Sequence, residues 1–501
     1  MKQKLKSIII KSTVYTSIIV IFVVALTIAI LSSQGTTINP TEGVIATSII
    51  KINITPKVDY KAYINDQEVR VNADKIEWIK PGPLTLSIVS QGFKEWQKMI
   101  SLKAGTISDI YVQLIPDFVN LNQLTNTNIY RSVFAHDLSE VYFIVKETDN
   151  PEDEGLWRLN LTRSILNFSA SEVAKILSLS ELGEIANSLD LSMKLSKDKN
   201  YVLFESKDTS QIKLLDVTRK NIINIFPSLR ISTYPSKAQF FRDGRSLILQ
   251  VNEGLYEYDI KDDVLFTITT AISNFNYHID ALQISLVDKL STEVSNLYVY
   301  KDSRISLLVN TNKTLYDLIT QNLAPRTLVN RLNSVESTHL MITNAGEKFW
   351  IDQTNQTFIE LEFEKLLFAS NDLRLLIVTK NIGEKEAIYT ISIKSRQGGR
   401  SNKIEEYKID LPNIDQKVKL SANNSIIFFV TENADGDQLW KVDFDGQNKQ
   451  LLYSSLHQNI YNYAISENNE EIYLVLEDLK IDVDKNKQNQ LTNLFRVKLK
   501  D

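Results

Sequence analysis

The sequence predicts an all-β chain in three parts: a single transmembrane helix at the N-terminus, a small β-sandwich, and a β-propeller of seven or eight blades. Three observations predict it. An uncharged apolar run stands near the start, apolar–polar alternation fills the next stretch, and one short apolar–aromatic pattern recurs through the rest. At 501 residues the chain exceeds one ordinary domain of roughly 100–200 residues, so several parts are expected.

Residues 14–31 are 18 consecutive residues without a charge. At about 1.5 Å per residue they make a helix roughly 27 Å long, against a hydrocarbon thickness of about 30 Å. Lys2, Lys4, Lys6 and Lys11 precede the run, and no acid comes before Glu42. The positive-inside rule therefore keeps residues 1–13 cytoplasmic and carries the rest of the chain across. A cleaved signal peptide is the alternative. Its apolar core is usually about 7–15 residues, and Ala29-Ile30-Leu31 is not a small-x-small cleavage pattern, so a retained signal-anchor is expected. Residues 32–47, with Gly35, Pro40 and Gly43, read as a linker.

Over residues 48–116 the apolar positions repeat every two, as half-buried strands require. Ile50, Ile52 and Ile54 alternate with Lys51 and Asn53; Leu84, Leu86 and Ile88 with Thr85 and Ser87; Ile110, Val112 and Leu114 with Tyr111 and Gln113. Turn residues fall between them at Asn65-Asp66, Pro81-Gly82-Pro83, Gln91-Gly92 and Ala104-Gly105. A small antiparallel sandwich is expected, with Trp78, Phe93 and Trp96 supplying much of its core. Tyr63-Ile64-Asn65-Asp66, Lys80-Pro81-Gly82, Gly92-Phe93-Lys94-Glu95-Trp96 and Lys103-Ala104-Gly105 occur in the order of the PEGA-domain motifs, and the segment resembles that family of surface modules. It departs from the family at Pro56-Lys57-Val58-Asp59, in place of the eponymous tetrapeptide, and at Asp66, in place of the hairpin glycine.

Residues 117–501 carry the repeat. Its copies are Leu156-Trp157-Arg158-Leu159, Leu255-Tyr256-Glu257-Tyr258, Leu315-Tyr316-Asp317-Leu318, Phe349-Trp350-Ile351, Ile388-Tyr389-Thr390-Ile391, Leu439-Trp440-Lys441-Val442 and Leu494-Phe495-Arg496-Val497, with Ile212-Lys213-Leu214-Leu215 as a degenerate eighth. Polar turns such as Ser196-Lys197-Asp198-Lys199 and Arg242-Asp243-Gly244-Arg245 precede an apolar strand in most copies. A period of about 40–50 residues with several strands per unit is a propeller signature, because a lone four-stranded sheet has two apolar faces and must stack on neighbours to bury both. Each aromatic is expected to wedge between blades. The uneven steps, 60 residues from Leu255 to Leu315 and 34 from Leu315 to Phe349, predict insertions near 167–190 and 272–294. The first is expected to hold a short helix, since Ser169 and Glu172 have capping-box spacing ahead of Val173 and Ile176. With Leu439-Trp440-Lys441-Val442-Asp443-Phe444-Asp445-Gly446 and the two polar turns, the repeat resembles the WD40-like blades of the TolB family, extracytoplasmic propellers that engage envelope proteins.

Composition and spacing exclude several chemistries. Lys and Arg number 56 against 61 Asp and Glu, a net charge of −5, so the chain lacks the positive footprint that holds phosphate backbones and nucleic acid is not expected as a partner. Cysteine is absent, which removes disulfides, thiolate metal sites and Cys nucleophiles. No two of the 15 glycines stand two, four or five apart, so there is no nucleophile elbow, dinucleotide loop or Walker A loop. His136, His278, His339 and His457 are too scattered for a metal-binding helix motif. Asp482-Val483-Asp484-Lys485-Asn486 begins like a calcium loop but has Lys487 at the glycine position and Asn493 at the glutamate position. Asp435-Gly436-Asp437 and Asp443-Phe444-Asp445-Gly446 read as hairpin turns. Lys394, Arg396, Arg400 and Lys403 around Gly398-Gly399 read as a solvated hairpin loop. No catalytic, cofactor-binding or metal-binding residue is assigned, and no cofactor is expected.

The expectation is a membrane-anchored extracytoplasmic binding or scaffolding protein of the cell envelope, not an enzyme. Its propeller would recognise an envelope protein or a cell-wall or surface polysaccharide. The alternative is an extracytoplasmic propeller enzyme, a hydrolase or a lyase.

Overall fold

The computed structural model describes residues 17–23, 25–26, 36–39, 43–148, 150–161, 173–223, 225, 235–271, 275–279, 284–288, 295–301, 304–311, 315–318, 338–343, 348–352, 357–370, 374–382, 385–395, 402–409, 418–421, 425–455, 457–478 and 492–499. The chain parts into two compact units, one built on Met1–Val119 and the other on Asn120–Glu467 with Glu471–Lys498.

In the first unit, residues 17–23 and 25–26 are helical, and the large apolar side chains of residues 18–23 and of Leu26 are exposed. Among the described residues no helix is long and apolar enough to cross a membrane, and the other positions of the expected span 14–31 lie outside them. The expected linker is not featureless. Thr36–Asn39 and Gly43–Ala46 form a hairpin in which Thr36 faces Ala46.

The sandwich follows. One sheet places Ser48–Thr55 between Lys75–Ile79 and Ile107–Gln113; the other runs Gln67–Val69, Lys61–Ile64, Gly82–Val89, Trp96–Leu102. The alternation reads correctly: Ile50, Ile52 and Ile54 face Leu84, Leu86 and Ile88 across a core that also holds Trp96. Two expectations are corrected. Ser48–Thr55 and Ile107–Gln113 pair in parallel, which is possible because the chain between them crosses into the other sheet and back. Trp78 is not in the core but 55% exposed, because a bulge sets Glu77 and Trp78 opposite the single residue Ile49 and turns both outward. Asn65 and Asp66, both at positive φ, form a tight two-residue hairpin turn without the family's glycine.

Among the described residues the second unit forms a propeller of eight four-stranded blades. Blade one is Ile129–Phe134, Glu140–Val145, Gly155–Asn160 and Val173–Ser178. Blade two is Ser192–Leu195, Tyr201–Ser206, Gln211–Asp216 and Asn221–Ile223. Blade three is Lys237–Phe241, Ser246–Val251, Gly254–Asp259 and Val264–Thr269. Blade four is Phe275–Ile279, Ile284–Asp288, Ser295–Lys301 and Arg304–Thr311, and blade five is Leu315–Leu318, Thr338–Thr343, Lys348–Asp352 and Thr357–Leu361. Blade six is Lys365–Ala369, Leu375–Ile382, Lys385–Ser395 and Asn402–Ile409, and blade seven is Val418–Leu420, Ile426–Thr431, Gln438–Asp443 and Gln450–Ser454. Blade eight joins both ends of the unit: Gln458–Ile465, Glu471–Asp478 and Thr492–Lys498 are completed by Leu121–Gln123 from the start. That exchange closes the ring and leaves no free strand edge between last blade and first.

Period-two alternation sorts the side chains between neighbours. In blade one, Tyr142 and Ile144 pack with Val202, Phe204 and Leu215 of blade two, while Val141 and Phe143 pack with Tyr473, Val475 and Leu494 of blade eight. Leu203 of blade two meets Leu247 and Leu249 of blade three, and Ile377 of blade six meets Ile427 and Phe429 of blade seven. The recurring pattern marks the third strand, with one correction. Leu315-Tyr316-Asp317-Leu318 is the first strand of blade five, and the third strand of blade four carries Leu297-Tyr298-Val299-Tyr300 instead. The steps of 60 and 34 residues thereby become 42 and 52, and the expected insertion at 272–294 is the first half of blade four. Leu156, Leu255, Leu439 and Leu494 are fully buried, whereas Trp157, Tyr256 and Trp440 are half-buried, so in those copies the aliphatic residue fills the space between blades; Trp350, fully buried against Leu376 and Val378 of blade six, is an aromatic that wedges as expected.

A short helix lies within 167–190 as expected, at Leu179–Leu182, but not at Val173 and Ile176. Those residues lie in the outer strand of blade one, and the capping box belongs to Ser178 and Glu181, which open the turn Leu179–Leu182. Residues 162–172, with Ser169 and Glu172, lie outside the described residues.

Candidate functional site

Among the described residues, a serine at the end of the first strand closes the turn into the second in four blades. Tyr201 N–H donates to Ser196 Oγ at 2.9 Å, Leu375 to Ser370 at 3.0 Å, Ile426 to Ser421 at 3.0 Å and Glu471 to Ser466 at 2.9 Å. These turns fix the register of the first strands. Those strands are the inner edges of the ring, since they bond to one another across blade boundaries. Asn462 of blade eight donates to Ser132 Oγ of blade one at 3.3 Å. Arg131 of blade one donates from Nε to the carbonyl of Leu191, just ahead of blade two, at 3.0 Å. Lys194 of blade two donates to the carbonyl of Ala238 in blade three at 3.1 Å, and Lys419 of blade seven to that of Tyr463 in blade eight.

The charge on these inner strands is lopsided. Five of the eight carry one basic residue each (Arg131, Lys194, Lys237, Lys365 and Lys419), against a single acid, Asp317. In a chain of net charge −5 this is a local reversal. The register is shared as well. Arg131, Lys194, Lys237, Lys365 and Lys419 pair with Ile144, Leu203, Gln250, Thr379 and Phe428, each an even number of residues from the one that closes the turn. All five therefore lie on the same face of their strands.

Two stretches are defined in detail. Where blades eight, one and two meet, the Arg131 guanidinium stands 4.3 Å from the ring centroid of Tyr130 and 5.7 Å from that of Tyr461, and Lys146 Nζ stands 3.9 Å from Tyr130. Burial lowers the affinity of Lys146 for its proton, and the like charge of Arg131 lowers it further. Burial likewise raises Tyr461. Leu189, whose carbonyl accepts from Arg131, is 82% exposed beside them. Between blades two and three, Lys194 pairs with Glu205, which also accepts from Ala238 N–H at 2.8 Å. Lys237 is held below the usual lysine range by burial and then by the charge of Lys194. Desolvated cations that repel one another gain from an anion placed between them.

A second polar cluster holds the approach to blade two. Ser188 Oγ lies between the carboxylates of Asp190 and Asp208, Lys207 N–H donates to Asp190 at 2.9 Å, and Leu189 N–H donates to Asp208 at 3.0 Å. It fixes the carbonyls of Leu189 and Leu191 that Arg131 binds.

The residues weighed from the sequence do not converge. His136 is half-buried in the turn of blade one and His457 exposed before blade eight, while His278 and His339 lie on strands of blades four and five. Asp435-Gly436-Asp437 and Asp443-Phe444-Asp445-Gly446 form turns, with Gly436 and Gly446 at positive φ. The calcium-like run at 482–487 lies outside the described residues, as do Arg396 and Arg400, while Lys394 and Lys403 face each other across a ladder. Among the described residues no three His, Asp or Glu side chains could hold a metal. The basic inner strands escaped the sequence reading, although a signal was present: a Lys or Arg two to five residues ahead of the turn in several repeats.

No family model and no curated protein sequence matches the chain. Solved structures do. One is dipeptidyl peptidase 4 of Porphyromonas gingivalis, at 10% identity and a TM-score of 0.42, covering 74% of this chain and 60% of that one. Another is an oligogalacturonate lyase from Vibrio parahaemolyticus, at 9% identity and a TM-score of 0.39, covering 74% and 98%. A third is the WD40 domain of SCAP from fission yeast, at 10% identity and a TM-score of 0.36, covering 76% and 98%. This chain thus spans only about three-fifths of the peptidase. At these identities and TM-scores the likenesses say nothing of role, and the propeller assignment rests on the four-stranded sheets themselves. The expectation that the chain is not an enzyme is corrected here: a peptidase and a lyase stand among the structures it resembles, so the exclusion of catalysis is withdrawn.

Proposed function

We propose that the propeller recognises an acidic polysaccharide of the cell envelope along its inner strands, and that the chain holds this platform outside the cell on one N-terminal anchor. The observation that carries the reading is the shared register of Arg131, Lys194, Lys237, Lys365 and Lys419. Separate cations beside aromatic rings, as at Arg131 with half-buried Tyr130 and exposed Tyr461, suit sugar rings that bear carboxylates. The aromatic face covers the C–H face of a sugar while the cation meets its charge. The anchor is supported by the uncharged run 14–31, the lysines before it and the exposed apolar helix at 17–23.

A second reading, a hydrolase or lyase on the same platform, is favoured by the peptidase and lyase among the similar structures. One experiment addresses both. The purified full chain in detergent is offered immobilised polyuronate and a neutral glucan, and the soluble fraction is assayed for new reducing ends and unsaturated products. Retention on polyuronate alone supports recognition, and products appearing with it support the enzyme. Equal retention on both matrices overturns the anionic site.

A further inference from the structure

We propose that one end of the sandwich docks onto the outer surface of the membrane, with Trp78 and Ile107 entering the interface and Lys80 and Lys103 facing anionic headgroups. The inference rests on the anchor proposed above and commits to a lipid surface. Trp78 and Ile107 are 55% and 63% exposed, and both flank Ile49 on the outer face of the three-stranded sheet: Ile107 pairs with Ile49, and the bulge sets Trp78 opposite it. Trp78 holds a φ of 63°, a left-handed region that strains a tryptophan. An exposed aromatic kept out by a strained bulge does not serve the core beneath it. Lys80 and Lys103 are exposed at the same end, in the turns that follow Lys75–Ile79 and Trp96–Leu102. Aromatic residues with lysines are the composition of a membrane interface, and lysines near an anionic surface are attracted to it.

The tether brings this end to the membrane. Ser48, where the central strand begins, faces Ile79, and its hydroxyl donates to the Lys103 carbonyl at 2.6 Å. Leu31 ends the apolar run, and the residues from there to Ser48 could span roughly 60 Å if extended. The hairpin halves that reach. Thr36 is paired with Ala46 at a strand spacing of about 5 Å, so the path from Leu31 to Ser48 is at most about 30 Å. A shortened leash keeps Trp78 and Ile107 within reach of the headgroups.

The chain has no cysteine, so one can be introduced alone. The full chain carrying Ile107→Cys or Gln91→Cys is labelled with a polarity-sensitive fluorophore and reconstituted in phosphatidylglycerol vesicles. Gln91 is exposed past the far end of Gly82–Val89 and is the reference site. The expected result is a blue-shifted label at 107, quenched several-fold less by iodide than the label at 91, with the difference shrinking in phosphatidylcholine vesicles. Trp78→Gly, whose glycine suits the positive φ, should fold at least as stably and leave the label at 107 more accessible. Protein that resists carbonate extraction while the two labels are quenched alike overturns the docking and leaves the anchor standing. Protein released by carbonate overturns the anchor itself.

Discussion

Arg242 Nε lies 3.0 Å from Glu257 Oε1, and the glutamate side chain is only 3% exposed. Ser246 Oγ donates to the same oxygen at 2.9 Å, so a charge inside blade three is met by a cation and a hydroxyl. Arg242 is about one-third exposed, which discounts its share. Removing one partner of a fully buried pair costs about 3–5 kcal/mol, so Arg242→Ala should cost roughly 2–3 kcal/mol of stability. Glu257→Gln keeps the acceptor for Ser246 and sheds the buried charge, and should cost about 1 kcal/mol. Urea unfolding of both variants checks the order, and an equal loss in the two would show that the charge is of no consequence.

Closure of the ring rests on few bonds. Leu124 N–H donates to the Leu494 carbonyl at 2.8 Å, Leu494 N–H to Thr125 Oγ1 at 2.9 Å, and Thr127 N–H to Asn493 Oδ1 at 2.9 Å. Thr125→Val preserves shape but leaves a buried N–H without its acceptor, at about 1–3 kcal/mol, whereas Thr125→Ser keeps the oxygen and should lose well under half of that. The same substitution pair, read by hydrogen exchange, should loosen Leu121–Gln123 and Thr492–Lys498 together.

How far the fold was legible follows from which forces act locally. Alternation at Ile50, Ile52 and Ile54, or at Leu84, Leu86 and Ile88, reports a buried face directly, and it located the sandwich core correctly. Trp78 misled because hydrophobicity says what gains from burial, while a bulge set by pairing with Ile49 decides which way the side chain points. Leu315-Tyr316 misled for a related reason: first and third strands of a blade carry the same apolar alternation, and only pairing distinguishes them. The capping box at Ser178 and Glu181 went unread because an equally good spacing occurs at Ser169 and Glu172, and local signals cannot rank themselves. The basic inner strands required the ring. Arg131 and Lys237 are 106 residues apart in sequence and become related only when their blades share an axis.

Acid should loosen the approach to blade two. The hydroxyls of Ser188 and then Ser206 hold the Asp208 carboxyl well below the usual carboxylate range. A carboxyl lowered in the folded state contributes stability that is complete above its unfolded value, about 3.8, and is lost as pH falls from there through its folded value. The amide of Leu189, which donates to Asp208, should therefore lose protection below about pH 4 after correction for intrinsic exchange. Asp208→Asn should show part of that loss at neutral pH. An amide at 189 whose protection is flat through this range would detach the carboxyl from the loop.

The junction of blades eight, one and two separates ligand binding from fold maintenance. Arg131 does both kinds of work, since its guanidinium stacks on Tyr130 and also donates to the carbonyls of Leu189 and Leu191. Arg131→Ala should lower both stability and affinity for polyuronate, and that result alone decides little. Lys146 is the sharper probe. It lies against Tyr130 and is repelled by Arg131, so Lys146→Gln relieves a like-charge contact and should leave stability unchanged or raised. The same substitution removes one cation from the site and should weaken polyuronate binding roughly tenfold, the effect of losing about 1.4 kcal/mol in a charge-assisted contact. Because Lys146 is held below the ordinary lysine range, first by burial and then by Arg131, it discharges earlier than a free lysine as pH rises. Affinity should therefore begin to fall at a lower pH on the alkaline side for the natural chain than for Lys146→Gln. Titration calorimetry at a fixed ionic strength across that range reads both effects, and superimposable pH profiles for the two proteins would remove Lys146 from the site.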